Sequence, residues 1–140
     1  MRRVRAPLLL AVLVVTAAGC SSSGGKPDGA VLPITEKDFK ITAQHYELPA
    51  GDVDLAVHNR GPDAHELIVV RETDAGLPLR KDGLTVDEDG IEKQTLGALE
   101  PSQPGGVRHL RVRLTPGRYL LLCNMAGHYM GGMHAELVVN

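Results

Sequence analysis

Residues 117–139 read GRYLLLCNMAGHYMGGMHAELVV. The apolar stretches Tyr119–Cys123 and Ala135–Val139 stand on either side of a polar segment carrying Gly127, Gly131 and Gly132. Two short strands joined by a loop are the expected structure. Moving upstream, Pro116 and Gly117 mark a tight turn, and Leu110, Val112 and Leu114 alternate with Arg111 and Arg113 as a half-buried strand does. The unbroken apolar run Leu67–Val70 suits a strand covered on both faces. Val53, Leu55 and Val57 alternate after the turn Pro49-Ala50-Gly51, and Phe39, Ile41 and Ala43 share one side of an earlier strand. No stretch carries a helical period of any length. These elements predict an all-β, antiparallel Greek-key β-sandwich. Residues 72–106, with eight acidic and three basic side chains among glycines and prolines, read as a long irregular insertion. It would be pinned at intervals by Leu79, Leu84, Val86, Ile91, Leu96 and Leu99.

The loop after the last long strand holds Cys123, His128 and Met133 at five-residue intervals. A thiolate, an imidazole and a thioether are soft to borderline donors. Cu(I) favours sulfur and Cu(II) favours nitrogen, so one thiolate, two imidazoles and a weak axial thioether satisfy neither state fully and hold both. A lone cysteine at a strand end is more often a small core residue; its neighbours argue for a ligand. The second imidazole must come from elsewhere, and His65 is best placed. It follows the turn Asn59–Asp63, opens a strand, and shares a face with Leu67 and Val69, as Cys123 does with Tyr119 and Leu121. His45 and His58 fall within other strands and His109 lies among arginines. Met130 competes with Met133 for the axial position, Met125 reads as packing, and His134 starts the last strand with its ring outward.

A chain of 140 residues has room for one domain. With 3% aromatic residues, no tryptophan and a formal charge of −2, it lacks the basic surface and stacking platforms of a nucleic-acid binder. Arg2, Arg3 and Arg5 precede the apolar run Ala6–Ala18, which is short for a membrane span and right for an export signal. Ala17-Ala18-Gly19-Cys20 resembles the lipobox of bacterial lipoproteins, which implies lipidation of Cys20 and an anchor on the outer face of the cytoplasmic membrane. The expected organisation is a signal peptide over 1–19, a flexible tether over 20–33 and a folded domain over 34–140. Without the leader, 12 of the 15 basic residues face 17 acidic ones, a mildly acidic domain. Cys123 then has no disulfide partner in an oxidising compartment, so its thiol needs another role.

The order His65, Cys123, His128, Met133 resembles the cupredoxins, the blue-copper family, and the two four-residue gaps are most similar to the rusticyanin and sulfocyanin type. The resemblance runs from about Ile34 to the C-terminus and is weakest over 72–106. It implies one copper ion in a type 1 site, with His65, Cys123 and His128 equatorial and Met133 axial. It further implies a one-electron carrier that meets a redox partner protein. A monomer is expected, and not an enzyme, since the sequence holds no oxyanion-hole motif, orienting third group or further histidine cluster. Sequestration of copper, or its delivery to an exported cuproenzyme, is the alternative. Some relatives place asparagine or serine directly after the first histidine to tie the ligand loops. Glu66 stands there instead, leaving Asn124 or Asn59 to brace them.

Overall fold

A computed structural model describes residues 29–140. The expected signal peptide, Cys20 and the first part of the expected tether lie outside the described residues. The strands are β1 (Ala30–Lys37), β2 (Lys40–Ala43), β3 (Glu47–Leu48), β4 (Gly51–Asn59), β5 (His65–Arg71), β6 (Thr95–Ser102), β7 (Arg108–Leu114), β8 (Gly117–Leu122) and β9 (His134–Val139). They form two sheets, ordered β2-β1-β4-β7 and β3-β9-β8-β5-β6. The alternating residues Leu32, Ile34, Val53, Leu55 and Val57 of the first sheet meet Leu67, Val69, Tyr119, Leu121 and Leu137 of the second in one buried core. This is the expected β-sandwich.

Two pairings depart from a purely antiparallel plan. β1 runs parallel to β4, and β3 parallel to β9. Two-residue alternation is the same read in either direction, so it specifies which side chains are buried without specifying strand sense. β1 also begins at Ala30, with Pro33 paired to Ala56 and Leu32 buried. Residues 30–33 therefore belong to the sheet rather than to the tether. Phe39 does not share the inward face of Ile41 and Ala43. It occupies the turn between β1 and β2 with φ +43° and is half exposed.

The region 72–106 is more regular than expected. It contains α1 (Glu88–Ile91) and, in β6, an eight-residue edge strand paired with β5. β6 escapes a sequence reading because Gly97 and Pro101 dilute its strand character. Proline is tolerated there because an edge strand leaves half of its N–H groups without sheet partners. The insertion is held by Val86 and Ile91, which close a second apolar cluster with Ile68, Val70, Leu120 and Leu122 on the outer face of the sheet. Burial of each stabilises by about 1.5–3 kcal/mol. Leu79 and Leu84, expected as anchors, are instead exposed.

Candidate metal centre

β8 and β9 are antiparallel neighbours, and the chain between them closes on itself. The Cys123 N–H donates to the Met133 carbonyl at 3.1 Å and the Met133 N–H to the His128 carbonyl at 3.0 Å. Successive turns from Met125 to Gly132 fold the intervening residues, with Gly127 at φ +82° and Gly132 at φ +98°, a region costly to residues with a Cβ. Cys123 is thereby fixed at the end of a core strand, and His128 is brought back over it.

His65 is delivered by a braced turn. The Asn59 side chain accepts from the Gly61 N–H at 2.7 Å and donates to the carbonyls of Asp63 and Ser102 at 2.9 Å each. On β7, Arg108 donates to the Glu36 carboxylate at 3.0 Å, the Glu100 carbonyl at 2.6 Å and the His65 carbonyl at 3.3 Å. One guanidinium thus ties three other strands at the point where β5 begins.

The donor atoms of His65, Cys123 and His128 all lie within 4.8 Å of one another, and among the described residues no other group of three His, Cys, Asp or Glu side chains does so. Cys123 Sγ stands 3.4 Å from His128 Nδ1, and the two imidazole centroids are 5.3 Å apart. Bonds of about 2.3 and 2.0 Å from one tetrahedral ion put sulfur and nitrogen about 3.5 Å apart, so the measured separation suits a shared metal. His65 and Cys123 are fully buried, while His128 is partly exposed. Met133 is buried in the same core cluster as Cys123, whereas Met130 is 53% exposed. Met125 packs against the core from its edge. His45 and His134 are exposed, and His109 is paired with Asp54 at 3.0 Å.

The electrostatics fit a cation. Burial pushes the Cys123 thiol above its ordinary pKa, and the nearby carboxylates of Glu66 and Glu36 push the same way, against backbone N–H donors. A coordinated cation reverses that balance and draws the thiolate out. Burial, helped by the neighbouring His128, holds His65 below its ordinary pKa and leaves the ring neutral, against the pull of Asp38 and Asp63. Both of its ring nitrogens are buried, and neither has a hydrogen-bond partner in the protein. An orphaned imidazole nitrogen beside a buried thiol is the donor set of a soft or borderline metal such as copper.

Asn59 and Asn124, the two residues expected to brace the ligand loops, both brace this end of the molecule, but the tie between the two loops runs through Glu66. Glu66, the departure from the family pattern, accepts from the Asn124 N–H at 3.0 Å and so ties the His65 strand to the Cys123 loop with a carboxylate. The Asn124 side chain reaches the other way. It accepts from the Val86 N–H at 2.6 Å and donates to the Val86 carbonyl at 3.0 Å and to Glu88 at 2.7 Å, fastening the insertion to the residue after the thiol.

Glu36 is buried with one carboxylate oxygen unpartnered. Burial outweighs Arg108, and the charge of Glu66 adds to it, raising its pKa to about 7. The folded state therefore favours the protonated acid. That contribution to stability is complete below about pH 4.5 and is lost as pH rises through about 7. Glu36→Gln should gain stability relative to the parent between these limits, by about 1 kcal/mol or more. Urea melts at both ends check this, and an unchanged difference between the two proteins would refute it.

No family model matches the chain, and no curated protein does. Solved structures do. Reduced auracyanin from Roseiflexus castenholzii is 22% identical with a TM-score of 0.58, over 80% of this chain and 99% of that one. Reduced rusticyanin is 18% identical with a TM-score of 0.60, over 80% and 81%. Auracyanin A from Chloroflexus aurantiacus, described as a "blue" copper protein, is 19% identical with a TM-score of 0.54, over 77% and 99%. Such identities speak for architecture alone, and they agree with the two packed sheets. The architecture of this chain is the cupredoxin fold.

Proposed function

We propose that this protein is a type 1 copper protein that carries single electrons on the outer side of the cytoplasmic membrane, anchored by lipid at Cys20. His65, Cys123, His128 and Met133 would hold one copper ion. The observation that carries the reading is the convergence of one thiol and two imidazoles within 4.8 Å at one end of a β-sandwich. Copper, when bound, supplies a one-electron couple between Cu(I) and Cu(II) with donors suited to both.

The chain's own residues do the rest. Complete burial of His65, Cys123 and Met133 excludes water from three sides, and partly exposed His128 offers the edge toward a redox partner. Strand ends and the hydrogen-bonded loop hold the ligands in one arrangement, so little movement accompanies a change of charge. The exported, lipid-bound location is supported by the basic start, apolar run and lipobox-like Ala17–Cys20.

Adding Cu(II) to the purified protein should give an intense visible charge-transfer band and a reversible midpoint. Colourless binding, or Cu(I) that passes readily to a chelator, would favour delivery of copper instead. Mass spectrometry of the mature N-terminus tests lipid on Cys20. Met133→Leu should retain copper and raise the potential, because the axial donor tunes it, while Met130→Leu leaves it unchanged. Voltammetry of both variants reads the difference, and the reverse pattern would assign Met130.

A further inference from the structure

β1 and β2 pair at Lys37 and Lys40, leaving Asp38 and Phe39 as a two-residue turn. The turn reaches from the first sheet to imidazoles that the second sheet presents. Asp38 Oδ1 lies 3.0 Å from His65 Nε2, and it also accepts from the Asp63 N–H at 3.4 Å. The Phe39 ring meets the His128 ring edge-on, with centroids 5.2 Å apart. A bulky residue at φ +43° is an outlier that surrounding contacts must sustain. The facing loop makes room for it, since a Cβ on Gly131 would come within 2.9 Å of the Phe39 ring. Backbone cost is thus accepted on one side, and side-chain volume given up on the other, to seat this turn against the two histidines.

We propose that Asp38 is a positioning residue of the metal centre: its carboxylate faces Nε2 of His65, selects the tautomer protonated there, and so leaves Nδ1 as the donor directed at the ion. Neither ring nitrogen makes a hydrogen bond within the protein, but Nε2 is the one with a carboxylate oxygen 3.0 Å away, and an unprotonated nitrogen there would set its lone pair against that oxygen. An outer carboxylate on a ligating histidine fixes ring orientation and raises donor strength. Its negative charge also favours the more positive oxidation state of the ion. This role rests on the copper reading for its redox consequence, but the tautomer it sets belongs to the metal-free protein as well.

The test uses the purified protein and Asp38→Asn, which keeps the size of the side chain and an acceptor for the Asp63 N–H while removing the charge. In the metal-free parent, nitrogen-15 NMR should show His65 as the Nε2–H tautomer. Asp38→Asn keeps an oxygen that can face Nε2–H, so Asp38→Ala is the variant that should show a mixture or the other form. With copper, Asp38→Asn should bind Cu(II) about tenfold more weakly, with Cu(I) little changed, raising the potential by about 59 mV. A packing role alone would lower thermal stability without moving the ratio of Cu(II) to Cu(I) affinity. A parent in which His65 carries its proton on Nδ1 would overturn the proposal, even if the variant failed to fold. So would an unchanged tautomer in Asp38→Ala, or an unchanged affinity ratio in Asp38→Asn. A parent that binds no copper but shows the Nε2–H tautomer would remove the copper reading and leave the Asp38 assignment standing.

Discussion

Cys123→Ser should lose the charge-transfer band altogether and bind copper more than about 100-fold more weakly, while remaining folded. The bound is conservative, since altering an outer-shell partner alone costs about 10–100-fold. Serine offers a hard, protonated oxygen in place of a soft thiolate, so both the colour and the affinity depend on the atom replaced. The fold should survive because the substitution is nearly isosteric in a fully buried site, and His128 Nδ1, 3.4 Å from the present sulfur, is available as a partner for the hydroxyl. A visible spectrum and a circular dichroism melt on the same sample separate the two effects. A Cys123→Ser protein that stays coloured would contradict the ligand assignment.

Asn124→Ala should carry the largest cost in stability of the changes considered, about 3 kcal/mol. The side chain satisfies both backbone groups of Val86, which is fully buried, and also binds Glu88. Alanine leaves a buried N–H and a buried carbonyl unpaired, each of which costs about 1–3 kcal/mol unless water reaches it. The denaturant midpoint should fall with little change in slope, and exchange of the Val86 amide should quicken by more than about tenfold. A loss below about 1 kcal/mol would mean that the insertion does not depend on this latch.

Both substitutions fall in the segment Cys123–Met133, and that stretch was the most legible part of the molecule. Cys123, His128 and Met133 could be read together because one loop carries them, and a loop between adjacent strands must return its donors to one end of the sheet. His65 required an argument about which end of which strand it opens, and the structure puts its ring against that of His128. The bracing of the site was legible only in part: Asn59 and Asn124 were expected to brace it, but not through the partners they take. Glu66 looked like a departure from a pattern, and its carboxylate performs the tie from a different chemical type. Asp38 and Phe39 lie more than twenty residues from the nearest histidine of the site, in a turn whose strand pattern pointed Phe39 inward. Only the positive φ of Phe39 lifts the pair out of the sheet and onto the two rings.

What the amino-acid order determined by itself was local: two-residue alternation, which decides the face each side chain takes, and the donor chemistry of a short glycine-rich loop. Strand sense, the edge strand over 95–102, and the contacts of Asp38, Glu66, Asn124 and Arg108 with the site were decided only in three dimensions. The physical reason is range. A pleat is set by neighbours in the chain, whereas a hydrogen bond such as that from Asn124 to Glu66 spans 58 positions and exists only once both sheets have packed.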